Sequence, residues 1–323
     1  MTVAILIVNY RTPGLVCDCL RSLAAEQGNG VAFRVHVGDA ESGDDSVAQI
    51  SEFIAAQGYG WASCTAIGRN GGFAYGNNHL LEHHALADPE VTQVHFLNPD
   101  TYIHPGAVRA LADFLQANPR AGVAGSRLEN PDGSARSCAF RFPAPWREFF
   151  HGAAFSILDR LVPTAGLVIR GLDRPTRVDW VSGASFMIPC AVVERTGPMD
   201  AGFFLYFEET DLMARVRAAG FEVWHVPESR VVHLAGQATG HRADQRPERL
   251  SPHWLRSRAR YFRRHHGAVG LVLATVLYLL GDLVYRLRCL LLWRPALRPR
   301  ALWRDYLRLG LVSPVAKGGP ADG

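Results

Sequence analysis

Over the first 130 residues, short β-branched runs alternate with amphipathic stretches, and this alternation narrows the possible folds more than any other feature. Strand-like runs stand at Val3–Asn9, Val31–Gly38, Trp61–Ile67, Val91–Asn98 and Ala121–Leu128. Helix-like patterns lie between them at Leu15–Gln27, Ser46–Gln57, Phe73–Leu86 and Pro105–Ala117. Strands separated by helices cannot pair through tight hairpins, so the pattern predicts βαβ units and a largely parallel sheet. In open sheets of this kind ligands sit beyond the carboxyl ends of the strands. Polar residues at those ends are therefore where chemistry is expected. Residues 129–177 are less regular and rich in Arg, Pro and aromatic side chains. Val178–Ile188 reads as a further strand, Gly197-Pro198 as a turn, and a helix is expected to start near Glu209. Phe221–Val226 and Val231–Leu234 read as two short strands, and no internal repeat is visible.

The remainder of the chain has a different composition. The net charge of +4 hides a split. Residues 1–240 carry 18 basic against 25 acidic side chains, whereas residues 241–323 carry 16 against 5. A basic tail on an acidic body suggests that the tail meets an anionic surface. Arg256–His266 is densely basic and Ala268–Leu280 is uncharged; Asp282, Arg286 and Arg288 then interrupt an apolar run that continues to Trp293. A spanning helix needs about 20 apolar residues, so this stretch reads as an amphipathic segment lying in a membrane interface. Two domains are expected: an α/β domain over 1–240 and a basic, apolar helical tail over 241–323. With 48% hydrophobic residues the chain can bury one large core or two modest ones. Its six cysteines form no CxxC pair and read as reduced thiols of a cytosolic protein. The run Val3–Val8 is short, lacks a basic leader and ends in Asn9-Tyr10-Arg11, so it reads as a strand and not as a signal peptide.

Four polar constellations fall at predicted strand ends. Asp39 opens the turn Asp39-Ala-Glu-Ser-Gly-Asp-Asp45, where a carboxylate can accept hydrogen bonds from a nucleobase or ribose, or can simply brace a solvated turn. Asn70-Gly-Gly-Phe-Ala-Tyr-Gly-Asn-Asn78 puts glycines ahead of a helix. Such a segment lets backbone approach an anion such as a pyrophosphate, or makes a tight strand–helix connection. Asn98-Pro-Asp100 ends an apolar run, and a carboxylate there suits a divalent cation with oxygen ligands or a helix cap. Phe207-Glu-Glu-Thr-Asp211 gathers three acids after an aromatic run; such acids have raised pKa values suited to a general base, or form an acidic first helical turn. Among thirteen histidines, His233 on the last short strand is the candidate metal ligand.

Taken in order, these segments resemble glycosyltransferase family 2, whose catalytic domain has the GT-A fold. The likeness is nearest to the bacterial rhamnosyltransferase-like enzymes of cell-envelope polysaccharide assembly. It rests on Val8-Asn9-Tyr10, on Asp39 to Asp44, on Asn70 to Asn78 and on Asn98-Pro99-Asp100. Ser182-Gly183-Ala184, Phe203 to Leu212, and His233 complete it. It departs from the family pattern at Ala40, where an Asn is usual, and at Glu209, where the family has Asp. The rival sugar-nucleotidyltransferases carry a glycine-rich basic loop after the first strand, which Asn9 to Pro13 lacks.

The resemblance implies an α/β GT-A fold with a mostly parallel mixed sheet, followed by the helical tail. It implies an inverting, metal-dependent hexosyltransferase, with a catalytically inactive scaffold in envelope assembly as the alternative. Asn9, Tyr10, Asp39, Asn70, Gly71, Gly72 and Asn98 would bind the nucleotide-sugar, with dTDP-L-rhamnose as the expected donor. Trp180, Ser182, Gly183 and Ala184 would meet the donor or acceptor sugar. Asp100 and His233 would hold Mg²⁺ or Mn²⁺, and Glu209 would be the base, with Glu208 and Asp211 supporting it. The expected partners are a lipid-linked or glycan acceptor and an anionic membrane surface, and not nucleic acid. The expected location is peripheral, on the cytoplasmic face of a bacterial inner membrane.

Overall fold

Five consecutive side chains, Val3 to Ile7, are wholly buried, which requires a strand covered on both faces. That strand, β1 (Thr2–Asn9), lies inside a nine-stranded sheet. The computed structural model describes residues 2–154, 166–234, 249–299 and 301–311. After β1 come α1 (Pro13–Ala24), β2 (Ala32–Asp39), α2 (Ser46–Gln57), β3 (Ala62–Ala66) and α3 (Gly72–Leu80), which a π-turn at Leu81–Ala85 prolongs. Then follow β4 (Val91–Leu97), β5 (Thr101–Ile103), α4 (Ala107–Ala117), β6 (Ala121–Glu129), β7 (Ala139–Phe140) and α5 (Pro145–Ala153). The next elements are β8 (Thr176–Val178), β9 (Trp180–Val181), β10 (Ser185–Pro189), α6 (Cys190–Thr196) and α7 (Glu208–Ala218). The chain closes with β11 (Glu222–His233), α8 (Pro252–Leu291) and α9 (Leu302–Arg308).

The sheet order is β3-β2-β1-β4-β10-β6-β11-β5, with β8 on β11. Strands β1 to β4 are parallel. Because β10 is antiparallel to both β4 and β6, and β6 is parallel to β11, six of the nine strands point one way. This is the mostly parallel mixed sheet that the strand–helix alternation predicts. Strand order reverses at β1, with β2 on one side and β4 on the other, which opens a crevice at their carboxyl ends. Ile5, Leu20, Val35, Leu111 and Met187 belong to the core that the helices close over the sheet.

Three departures from the sequence reading shape the site. The single strand expected over Val178–Ile188 is broken at Ser182–Ala184. Its first part, β9, pairs with β7 in a separate ribbon, and Val181 packs where Gly125 of β6 has no side chain. The two strands expected at Phe221–Val226 and Val231–Leu234 are one strand, β11, bulged where Val226 and Arg230 sit beside consecutive residues of β6. Pro227 lies in that bulge, the place within a sheet where a missing N–H does least harm. The three-residue strand β5 has too short a pattern to be read from sequence, yet it pairs antiparallel with the end of β11.

The described structure divides into two compact units, Met1–Arg141 with Val168–Ala201 and Glu208–Gln245, and Phe142–Leu167 with Gly202–Phe207 and Arg246–Gly323. The boundary expected between residues 240 and 241 lies outside the described residues. In the second unit α8 bends at Gly267, whose φ of 69° suits glycine. The helix runs on past Asp282 to Leu291, and by length and composition alone it is long enough to cross a membrane. One face packs on α5. A Cβ on Gly281 would lie 2.2 Å from the Phe149 carbonyl oxygen, and one on Gly152 equally close to the Tyr278 carbonyl. Arg258 is buried with Glu148, whose Oε2 accepts hydrogen bonds of 2.8 and 2.5 Å, and its guanidinium lies over the rings of Phe262 and Tyr306. Gly281→Leu forces these helices apart and should destabilise the protein by about 3 kcal/mol or more. Leu280→Ala, at an exposed position of the same helix, should stay within about 0.5 kcal/mol in the same denaturant melts.

Candidate active site

The parallel register sets Asn9 directly beside Asp39 at the carboxyl ends of β1 and β2. Asn9 Nδ2 donates to Asp39 Oδ2 at 2.7 Å, and Ser42 donates through Oγ to Oδ2 at 2.5 Å and through its backbone N–H to Oδ1 at 2.9 Å. Asn9 Oδ1 in turn accepts from the Thr12 backbone N–H and hydroxyl. Asp39, itself buried, therefore braces its own turn through both carboxylate oxygens. Arg11 locks the same turn, donating from Nε to the Ser42 carbonyl at 2.8 Å. Tyr10 is exposed, with the Arg11 guanidinium 5.1 Å from its ring. Ala40, the family departure, is buried and its backbone N–H donates to Asn9 O.

The glycine-rich segment divides its roles. Asn70 Oδ1 accepts from the Gly72 N–H at 3.1 Å, turning the chain into the first residue of α3, and Gly72 has φ of 85°. The N–H groups of that first turn lack helical acceptors, which suits an anion. Gly76 is structural, since a Cβ there would come 2.8 Å from Val8. Asn78 is structural too, exchanging two hydrogen bonds with the Met199 backbone.

Pairing of β5 with β11 sets Thr101 opposite His233, and so brings His233 to Asp100. Asp100 is only 2% exposed. Its Oδ1 lies 3.3 Å from His233 Nε2 and has no hydrogen-bond donor, and His233 Nδ1 also lacks a partner. Asn98 Nδ2 is 3.5 Å from the same His233 nitrogen. Among the described residues no group of three or more His, Cys, Asp or Glu side chains gathers as a metal cluster. A buried carboxylate oxygen without a donor, beside an imidazole, nevertheless fits an oxygen-preferring divalent cation whose other positions are filled by ligand oxygens.

The second half of the site is the acidic start of α7. Glu208 and Glu209 each carry a buried Oε2 without a hydrogen-bond partner. Burial and the neighbouring Glu209 charge push the Glu208 carboxyl well above its ordinary range. Burial also raises that of Glu209, opposed by backbone N–H groups that include Gly183's. Asp211 has a different job: it is fully buried and paired with Arg215 at 3.0 Å, and Arg215 donates onward to the carbonyls of Thr196, Gly197 and Pro198. Immediately before Glu208, Tyr206 and Phe207 both have positive φ, 70° and 68°. Each such residue costs on the order of 1–3 kcal/mol, a strain that clusters at functional sites. Nothing in the apolar run preceding Glu208 announces it.

Backbone joins the two halves. Asn98 N–H donates to Ala184 O at 2.9 Å, and Gly183 lies against the Glu209 side chain. Ser182 Oγ accepts from the Ala184 N–H, closing the turn. Trp180 stacks on Phe140 with centroids 4.2 Å apart and donates from Nε1 to Arg141 O.

Residues 4–157 match the profile of glycosyl transferase family 2. These residues, just under half of the chain, are therefore similar to a family 2 glycosyltransferase domain. Over 144 residues the chain is 31% identical to the N-acetylglucosaminyl-diphospho-decaprenol L-rhamnosyltransferase of Mycobacterium tuberculosis, covering 44% of this chain and 47% of that one. Over 175 residues it is 25% identical to rhamnosyltransferase WbbL of Escherichia coli K12, covering 51% and 61%. The chain thus spans about half the length of the first of these relatives and three-fifths of the second. The mannosyltransferase PcManGT from Pyrobaculum calidifontis, solved in complex with GDP-Man and Mn²⁺, is similar in fold with a TM-score of 0.55 at 13% identity, over 97% of this chain and 81% of that one. The GT-A fold and the family resemblance expected from the motifs are both borne out.

The buried acids at the start of α7 make a stability test. A carboxyl whose folded pKa lies above its ordinary value, here 4.5, contributes its stability below that value and loses it as pH rises through the folded pKa. Glu208→Gln should therefore raise the thermal midpoint at about pH 8 and leave it nearly unchanged at about pH 4. An equal shift at both would exclude burial of the charge as the cause.

Proposed function

We propose that this chain is an inverting, metal-dependent glycosyltransferase that moves a sugar from a nucleoside diphosphate to a lipid-linked acceptor at a membrane surface. One observation carries the reading. Asp100, buried beside the half-buried His233 and with a donorless carboxylate oxygen, is tied through the Asn98–Ala184 hydrogen bond to a turn that packs against a raised-pKa carboxylate, Glu209. A divalent cation, Mg²⁺ or Mn²⁺, would be held by Asp100 and His233, and when bound it neutralises charge growing on the leaving diphosphate. Asn9, Tyr10 and Asp39 would receive the nucleoside, and the turn at Asn70–Gly72 would face the phosphates. Asn98 would steady His233, and Trp180 with Ser182–Ala184 would line the sugar.

Glu209 takes the proton from the acceptor hydroxyl as that oxygen bonds to the anomeric carbon. The bond from that carbon to the diphosphate oxygen breaks in the same displacement, and attack from the opposite face inverts the configuration. Burial keeps the Glu209 proton affinity high, and Asp211 holds α7 through Arg215. The names of the rhamnosyltransferases of matching sequence support rhamnose as the sugar and, for the mycobacterial one, a lipid diphosphate acceptor; dTDP-L-rhamnose is the donor that the motif resemblance implies.

The membrane surface is read from α8. Val269, Leu273, Val276, Leu280, Leu283 and Leu287 are exposed at spacings that form one stripe on a helix. Exposed Arg256, Arg263 and Arg264 precede the stripe. Such a helix lies in the interface of an anionic bilayer, where each surface basic residue contributes about 1 kcal/mol. Attachment would be peripheral, on the cytoplasmic face of a bacterial inner membrane.

Two variants separate the roles. Glu209→Gln should lower kcat by roughly 10²–10⁴-fold with unchanged affinity for nucleoside diphosphate. Asp100→Ala should abolish the Mn²⁺-dependent part of that affinity, measured by calorimetry; unaltered binding would remove Asp100 from the metal site. For the membrane, Leu273→Asn combined with Leu280→Asn and Leu287→Asn should release the protein from phosphatidylglycerol vesicles in sedimentation, and equal pelleting would refute the docking face.

A further inference from the structure

A separate cavity lies on the first unit, and neither Asp100 nor His233 lines it. It has a volume of about 310 Å³ and is lined in part by Arg127, Arg136, Arg170, Asp173, Cys138 and His225. Three guanidinium groups face one carboxylate, Asp173. His225 adds no charge near neutrality, because burial pushes its pKa down to about 4. Neighbouring acids do not cancel the excess. Glu129 is engaged by Arg230 through two 3.0 Å hydrogen bonds, so Arg127, with Nε 3.0 Å from the same carboxylate, shares an acid already neutralised. Arg127 Nε is buried without hydrogen-bond geometry to any acceptor. Arg136 donates to the neutral Asn130 side chain, and Arg170 is exposed. Planar guanidinium groups converging on a cavity match phosphate oxygens in pairs.

The cavity adjoins the transfer site. Cys138 in its wall accepts, through its carbonyl, the Ser182 N–H at 2.9 Å, and Ser182 opens the turn against which Glu209 lies. Arg127 stands near the end of β6, at the same carboxyl edge of the sheet as Asn9 and Asp39. The donor's diphosphate has its own place beside Asp100, so this cavity calls for a different anion on the acceptor side of Glu209.

We propose that the cavity holds the diphosphate of the acceptor, gripping it with Arg136 and Arg170 from the side and Arg127 from the floor. This rests on the reading of the chain as a glycosyltransferase with a lipid-linked acceptor. It assigns the cavity a metal-independent role: fixing the acceptor so that its sugar hydroxyl meets Glu209.

The test uses the full chain, without divalent cation, and three probes in calorimetry: an N-acetylglucosaminyl diphosphate ester of a short alkyl chain, the corresponding neutral alkyl glycoside, and inorganic pyrophosphate. The diphosphate ester should bind at least about 10-fold more tightly than the neutral glycoside, the contribution of one or two charge-assisted phosphate contacts. Arg136→Ala with Arg170→Ala should erase that difference, and the paired Arg→Lys substitutions should restore part of it. Mn²⁺-dependent binding of nucleoside diphosphate should survive in both variants, which shows that they fold. Unchanged ester affinity in the alanine variant overturns the proposal. So does pyrophosphate binding as tightly as the ester, which would assign the cavity to a free anion. If nucleoside diphosphate with Mn²⁺ fails to bind the unaltered protein, the glycosyltransferase reading itself falls, a result the ester measurement does not mimic.

Discussion

The pairing of β11 with its neighbours holds the chemistry of this protein in register. Along 12 residues this strand meets β6, β8 and β5. Side chains alternate across a strand, so a slip of one residue would turn His233 to the opposite face from Asp100. Two features prevent the slip. The bulge around Pro227 shifts the register once, between Val226 and Arg230. Glu129, buried at the end of β6, then takes Arg230 in a bidentate pair and has His104 at 3.3 Å, pinning β11 on both sides. The Arg230 guanidinium holds that carboxyl below its ordinary range. The same strand carries His225 into the arginine-lined cavity, so that cavity and the Asp100–His233 pair both inherit their geometry from one register.

The carboxylates of the first unit separate into those that are satisfied and those that are not. Asp39 accepts three hydrogen bonds, Glu129 is bridged by arginine, and Asp211 is held by Arg215. Asp100 Oδ1, Glu208 Oε2 and Glu209 Oε2 have no donor although they are buried. Buried polar atoms are nearly always paired, because a lost hydrogen bond to water costs about 1–3 kcal/mol. For these three acids of the first unit, the cost falls where the proposed substrate and cation would relieve it. A chain optimised for stability alone would have paired these groups, as it did Asp39.

The second unit follows a different logic. Its helices cross where Gly152 meets Gly281, close enough that no side chain fits, and the buried Arg258 is neutralised by Glu148 and covered by aromatic rings. Asp282, within the apolar stretch of α8, is likewise buried and compensated by Arg286 and the Trp303 N–H. Of the charges that seemed to interrupt an apolar run, Asp282 is buried and Arg286 and Arg288 are half-buried, and an apolar stripe remains outward.

The alternation of β-branched runs with amphipathic helices was enough to set the fold class, because the βαβ pattern admits few topologies. The ends of β1, β2 and β4 were legible for the same reason, and with them Asn9, Asp39 and Asp100. Local pattern also marked Glu208 and Glu209, since adjacent acids after an aromatic run are rare without a purpose. What the sequence could not express was pairing. Nothing in Thr101–Ile103 announces a strand, yet that strand brings His233 to Asp100. Nothing in Ser182–Ala184 says that its carbonyl ties Asn98 to the turn against which Glu209 lies, or that Asp211 is held by Arg215. The convergence of Arg127, Arg136 and Arg170 is equally silent, because they are spread along the chain and meet only through the β7–β9 ribbon and the bulged β11. Periodicity is written in neighbouring residues, whereas a site is made by residues far apart in sequence, and only tertiary packing decides which of those become neighbours.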